Sequence, residues 1–425
     1  MYPSFRLPLC FSTATAARRL RLAAGVALAG LLSLPAQAQD STLTRLTHKY
    51  QFALEQKGTQ FSGPGWDKLR QDIEKSQVVL VGEDHGMAQI PQFTQAVAQV
   101  LKPKVFVAEI DKYQARDLTR LAAQPGLPVA VERKYPMGFA FYSWAEEFEL
   151  ARALRAQNTA LVGLEQVGFF APGRFYALLA EKTKNKQSAA YLRQRGAAYQ
   201  AHNQAVMGTD PSQLTVYRHT PATLDSLTAL ARQESPEVQR MVQEYITSVH
   251  INQTAIQPKT GLQSHQDRVN LMRRNLLAEL PAYQQPGQPL PKMLFKFGAG
   301  HMGRGASFTA GVYDVGNLAL NLAEMQDQKS LHIFVIGKQG TQNSGFNPQD
   351  FSKNVATYSN ADTDMIRPFV AATPAGTAWQ VFDVRPLRRA LLRDQLKISS
   401  SELLTTIMNY DYVVIIPETT ASHNI

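Results

Sequence analysis

The sequence has almost no cysteine. Its single one, Cys10, precedes an apolar run at residues 22–34 and would leave with it. A chain processed after that run carries no thiol, which excludes disulfides, thiol catalysis and thiolate metal sites. Long apolar runs are missing too. Residues 22–34 (LAAGVALAGLLSL) follow Arg18, Arg19 and Arg21 and precede Ala36-Gln37-Ala38, an A-x-A cleavage pattern before Gln39. A basic head, a short apolar centre and a small-residue site read as a secretory signal peptide, too short for a membrane span. No other stretch approaches spanning length. The expectation is an exported, soluble chain, periplasmic or extracellular, with no membrane span after cleavage.

Concentrated charge of one sign is also lacking. The net charge is +10, and residues 1–38 hold four arginines and no acid, so the remainder carries +6 (10 − 4). Its basic residues are dispersed, without a basic stripe interleaved with aromatics, so nucleic acid is not an expected partner. There is no internal repeat. The Gly-x-Ser-x-Gly elbow of serine α/β-hydrolases is absent, as is a helical HExxH metal motif. The glycine-rich stretch 298–305 (GAGHMGRG) lacks Gly-Lys-Ser/Thr and does not open the first βαβ unit, which excludes a P-loop or dinucleotide site.

What is present centres on residues 78–86, VVLVGEDHG. An apolar run reads as a buried parallel strand and stops at Gly82-Glu83-Asp84-His85-Gly86. In open α/β sheets, ligands bind beyond the carboxyl ends of the strands. Helix 90–101 and strand 104–110, ending on Glu109, complete a βαβ unit. A short helix over 113–123, a loop over 125–137, a long helix over 139–157 and strand 159–165, ending on Glu165, make a second. Upstream, residues 39–74 read as helical around the break FSGPGW. Residues 169–280 change character, being helical and rich in Gln and Ala. Strands follow at 292–297, 331–337, 379–384 and 412–417, with helices at 313–324, 388–396 and 402–408 and a loop over 346–359. The class is α/β, with a mostly parallel central sheet flanked by helices and a large helical insertion forming a cap. The expected division is 1–38 signal peptide, 39–168 first part of the α/β domain, 169–285 helical insertion, and 286–425 second part.

Glu83, His85, Glu109, Glu165 and His301 all sit at or just past apolar strand ends, so a parallel sheet would gather them on one edge. His85 is the best base for taking a proton from water. Glu83 or Glu109 would orient it. His301 lies in a glycine-rich loop whose amides would suit an oxyanion, and Arg304, three residues on, would hold a carboxylate or developing charge. Asp84 reads as a loop-former. His202, His219, His250 and His265 are scattered through the helical region and read as surface or structural residues. The same two histidines with their carboxylates (Glu83, His85, Glu109 and His301) also make a plausible divalent metal set.

Residues 78–86, the Glu109 strand end and the 298–305 loop together resemble the erythromycin esterase-like superfamily, related to the ChaN, TraB and Tiki proteins. Residues 267–276 (DRVNLMRRNL) are similar to that family's helix with Arg, Met and Asn at fixed spacing, here Arg268, Met272 and Asn275, and residues 410–420 to its closing strand. The resemblance implies catalytic Glu83 and His85, a supporting Glu109, and His301 on the opposite wall. Arg268 and Asn275 would face the cleft from the helical part. Erythromycin esterases place two residues between the Glu and the His, whereas this chain has Asp84 alone, a spacing closer to the ChaN and TraB branch. The leading expectation is an ester or lactone hydrolase of a small-molecule substrate needing no cofactor. The alternative is a protein binding iron, haem or another metal, or a metal-dependent hydrolase.

Overall fold

The computed structural model describes residues 34–257, 259–308 and 311–425. The candidate signal segment therefore lies outside the described residues up to Ser33, and Leu34 begins the first helix.

The strands are β1 (Gln51–Lys57), β2 (Gln60–Ser62), β3 (Val78–Glu83), β4 (Val105–Asp111), β5 (Ala160–Glu165), β6 (Met293–Gly298), β7 (Ser330–Asn343), β8 (Val355–Ser359), β9 (Trp379–Asp383) and β10 (Tyr412–Thr419). The helices are α1 (Leu34–Lys49), α2 (Pro64–Glu74), α3 (Gln89–Leu101), α4 (Lys112–Leu121), α5 (Val129–Lys134), α6 (Ala145–Ala156), α7 (Pro172–Lys182), α8 (Lys186–Val206), α9 (Thr215–Arg218), α10 (Pro221–Ala231), α11 (Pro236–Ala255), α12 (Gly261–Glu279), α13 (Val315–Glu324), α14 (Arg367–Ala372), α15 (Arg385–Leu392) and α16 (Ser401–Asn409).

The strands form one mixed sheet in the order β2-β1-β9-β10-β7-β3-β6-β4-β5, with β8 paired to β7. From β10 to β5 all neighbours are parallel. β3 lies in the middle, between β6 and β7, and all six of its residues are buried. That is why its run is apolar on both faces rather than alternating. The sheet core is Val, Ile, Leu and Phe from β3, β4, β6, β7 and β10.

The edges differ from the expectation. Residues 51–62 form a hairpin, not helix. β1 pairs antiparallel to β9 and turns at Gly58, whose φ of +61° suits glycine, into β2. β9 is itself antiparallel to β10, so the sheet is mixed. β7 runs on past Gly337 to Asn343 because its polar second half pairs with β8, inside a stretch expected to be loop. The expected loop 125–137 holds α5, and the expected long helix 139–157 is a 3-10 turn followed by α6.

Helices α7 to α12 lie between β5 and β6. Much of this segment packs on its own apolar cluster, with Phe175, Leu192, Val238, Met241 and Tyr245 at its centre. α12 returns to the sheet, packing against β5 and α13.

Candidate active site

Register sets the site. Glu83 lies opposite Gly298 and Val81 opposite Lys296 in the β3–β6 pair. In-register residues of parallel strands share a face, so Glu83, Lys296 and the side-chain-free Gly298 lie together. The next strand carries one extra residue: Ala108 pairs with Gly163, but Asp111 pairs with Glu165. Such a bulge re-aims a side chain, and here it falls at Glu109.

His85 sits just beyond β3 in a turn held from behind. Gly86 has φ +83°, and a Cβ there would stand 2.1 Å from the carbonyl oxygen of Asn343. Gln342 donates to the His85 carbonyl at 2.7 Å, and the Tyr358 hydroxyl to Asp84 at 2.9 Å. The polar end of β7 and its partner β8 thus aim the turn, and Asp84 is a positioning residue within it. The His85 ring lies parallel to Phe141, 3.9 Å between centroids.

Both ring nitrogens of His85 face carboxylates. Nδ1 donates to Glu83 Oε1 at 2.8 Å, and Nε2 lies 3.3 Å from Glu109 Oε2. Glu83 also accepts from Lys296 Nζ at 2.6 Å, and the same ammonium pairs with Glu147 of α6. Glu109 accepts the Gly298 amide at 2.6 Å and Arg268 Nη2 at 2.8 Å. Arg268, on α12, pairs with Glu165 through Nε and Nη2 and donates from Nη1 to His301 Nε2 at 2.8 Å. His301 Nδ1 in turn donates to Asp314 Oδ2 at 2.9 Å. The result is one buried chain of ion pairs and hydrogen bonds from Glu147 to Asp314.

Charge sets the protonation states. Burial disfavours a charged His85, but Glu109 and Glu83 outweigh it and raise its pKa to about 9. Burial would raise the pKa of Glu109, yet His85, His301 and Arg268 hold it well below the usual carboxylate range. Glu83 is likewise lowered against its burial, by Lys296 and His85. Burial prevails at Glu147, which rises to about 7 despite Lys296. For His301, burial and Arg268 act downward, Asp314 and Glu109 upward, and the balance is upward. Arg268 donating into Nε2 requires the neutral ring with its proton on Nδ1, so protonating Nε2 would break that contact.

The cluster borders a cavity of about 60 Å³, lined by Glu109, Glu165 and Arg268 and by the rings of Phe141, Phe169 and Phe346. That volume has room for a few water molecules.

Of the residues singled out from sequence, Glu83, His85, Glu109, Glu165, Arg268 and His301 meet in this chain. Arg304 does not. Its guanidinium pairs with Asp411 at 3.1 Å, at the amino end of β10 and so toward the opposite edge of the sheet. Asn275 donates to the Leu164 carbonyl at 2.7 Å and braces β5 rather than facing the cleft. The glycine-rich loop offers a 3-10 turn at Ala299–His301, with α13 beginning only at Val315. Its Gly298 and Gly305 amides are taken by Glu109 and Asn409.

No family model matches the chain, and no curated protein matches its sequence. Solved structures do match in shape. A Bacillus cereus protein superposes with a TM-score of 0.55 at 14% identity, over 91% of this chain and 99% of that one. A histidine-to-asparagine mutant of an erythromycin esterase, in its open conformation, gives 0.54 at 14%, over 88% and 98%. A succinoglycan biosynthesis protein gives 0.52 at 13%, over 91% and 98%. The chain has the fold of that erythromycin esterase.

On this shared fold, three residues of the cluster carry no expectation from the sequence, and a fourth nearby, His265, was expected to be a surface or structural residue. Lys296 is the lone charge inside the apolar strand β6, MLFKFG, and that isolated charge is the signal for a residue that proves 4% exposed. Glu147 sits in a helix whose apolar face hides it. Asp314 caps α13, accepting from the Val315 amide, and reads as a cap alone. His265 stands three residues before Arg268, on the same side of α12 by helical spacing.

Proposed function

We propose that the chain is an exported hydrolase of the erythromycin esterase type, acting on an ester or lactone of a small molecule. The observation that carries this reading is His85, fixed between two buried carboxylates at a strand end, with its neighbours Glu109 and Phe141 lining a cavity, on an erythromycin esterase's fold. Glu83 holds the ring through Nδ1, which leaves Nε2 to meet water. A water entering between Nε2 and Glu109 would give its proton to Nε2 and its oxygen to the carbonyl carbon. Arg268 and His301, on the far side of Glu109, would meet the oxyanion. Arg304 has no part in this, since its charge is engaged with Asp411. The chemistry as written uses no metal.

With a pKa of about 9, His85 is a cation at neutral pH. It serves as a base only after losing that proton, so turnover should climb with pH. The cavity is small, about 60 Å³, and would have to widen for a bulky ester or lactone. The helical segment 169–285 would therefore act as a movable cap, with α12 bringing Arg268 to the site as it closes. The test is hydrolysis of nitrophenyl esters and simple lactones by the wild type and by His85→Ala, with folding checked by circular dichroism. Turnover should vanish in the variant. Undiminished hydrolysis in a folded variant refutes the mechanism.

A further inference from the structure

Among the described residues, one set of histidine and carboxylate groups brings its donor atoms within 4.8 Å of one another: His265, His301 and Asp314. It shares only His301 with the Glu83, His85, Glu109 and His301 set that the sequence suggests for a metal. We infer that His265, His301 and Asp314 form a binding site for one divalent transition-metal ion of the zinc type, behind the proposed active site.

The distances suit such an ion. Two imidazoles on one tetrahedral zinc, with Zn–N of about 2.0–2.1 Å, place their ring centroids roughly 5 Å apart and neighbouring donor atoms about 3.4 Å apart. The His265 and His301 centroids are 5.5 Å apart. His265 Nε2 stands 3.4 Å from Asp314 Oδ2. His301 Nδ1 stands 2.9 Å from the same oxygen and would move back by a few tenths of an ångström. His265 Nε2 is buried without a well-formed hydrogen bond, although it faces this carboxylate. A buried ring nitrogen left so is costly unless something completes it. A nearby cation, Arg268, is balanced by Glu109 and Glu165. Imidazole and carboxylate donors, without thiolate, suit zinc and its neighbours.

The ion would change the site it adjoins. A neutral imidazole that gives its Nδ1 pair to a metal carries its proton on Nε2. Loading would thus move the His301 proton from Nδ1 to Nε2. That atom would turn from acceptor of Arg268 into donor toward Glu109 Oε1, now 3.6 Å away.

Untagged full-length protein, stripped with chelator, is titrated with zinc chloride by calorimetry. Bound zinc is then counted by elemental analysis after gel filtration, and cobalt(II) loading is followed by visible absorption. One zinc per chain is expected, with a tetrahedral cobalt spectrum. Affinity should fall at least a hundredfold in His265→Ala and persist in His85→Ala. His265→Asn, closer in size, covers a folding failure of the alanine variant. The inference is overturned by wild-type protein that holds no stoichiometric zinc, by binding that survives loss of His265, or by binding that disappears with His85. Ester turnover on stripped and loaded protein tests the hydrolase reading separately, because zinc binding requires no turnover.

Discussion

Glu109→Gln puts the role of His85 to the test. The substitution keeps an acceptor of the same shape at Nε2 and deletes a charge 3.3 Å from it. At an effective dielectric of about 20, unit charges at that distance attract by roughly 5 kcal/mol. At about 1.4 kcal/mol per pH unit, that is worth some three to four units of His85 pKa, roughly. Burial opposes it, and the net rise is from 6.5 to about 9. Without Glu109, burial acts against Glu83 alone. Arg268 also loses one of its two carboxylates and repels the imidazolium more strongly. Both changes point downward, and a fall of about two units to near 7 is expected.

The rate consequence is large. With a pKa of about 9, roughly 1% of His85 is free base at pH 7, against about half with a pKa near 7. In the wild type, kcat/KM should therefore rise about tenfold per pH unit above neutrality and level off near 9. In Glu109→Gln the rise should level off near 7, whatever the height of the plateau. Nitrogen-15 NMR titration of His85 reads the same shift without turnover. A wild-type profile that is flat or falls between about pH 7 and 9 refutes His85 as the base. An inflection that does not move in the variant refutes the electrostatic account.

Lys296→Met leaves Glu83 and Glu147 buried without their shared ammonium, and should lower unfolding stability in urea by about 3–5 kcal/mol; a loss under about 1 kcal/mol would show that the pair contributes little. Gly298→Ala places a methyl 3.0 Å from His85 Nε2 and 3.5 Å from Glu109 Oε2, so kcat/KM should drop at least tenfold while the melting temperature barely moves, and an unchanged rate would mean that Nε2 does not act there. The raised His85 pKa also fixes a sign for stability: its share is full below 6.5, the ordinary value, and is lost as pH climbs through about 9, a difference of order 3 kcal/mol. The stability gap between wild type and His85→Asn should accordingly shrink from neutral to alkaline pH, and a gap that widens contradicts the shift.

What was legible in the sequence follows from burial. β3, β4, β5, β6 and β10 are apolar runs that stop abruptly, so their ends, and the Glu or His placed there, are visible without a structure. Elements that are half-exposed carry no such mark. β1 alternates weakly around a single fully buried Leu54 and passed for helix, and β8 shows four of its five residues to solvent. Sequence proximity misled in one place: Arg304 is three residues from His301, but the loop between them carries it toward Asp411. Distance along the chain hid the converse. His265 precedes β6 by a whole helix, and only the return of α12 to the sheet brings it to Asp314. Arg268 was found through resemblance alone, because an arginine on a polar helix does not announce that it is 6% exposed.

The same geometry says where the site must open. All four histidine nitrogens are engaged: His85 by Glu83 and Glu109, His301 by Asp314 and Arg268. Hydrolysis needs one of them released. The Glu83 contact cannot yield without freeing the ring from its only anchor through Nδ1, and the His301 contacts hold Arg268 in place. The Nε2–Glu109 contact is the longest of the four, at 3.3 Å, against 2.8 to 2.9 Å for the rest. Glu109 would also keep the Gly298 amide and Arg268 if it moved away. Parting these two groups costs the least, and it opens the one gap in which a water would touch both the base and the carboxylate that raised its pKa. A water there separates the charges and weakens their attraction. In the proposed mechanism, the step that admits the nucleophile would therefore also lower the pKa of the base that activates it.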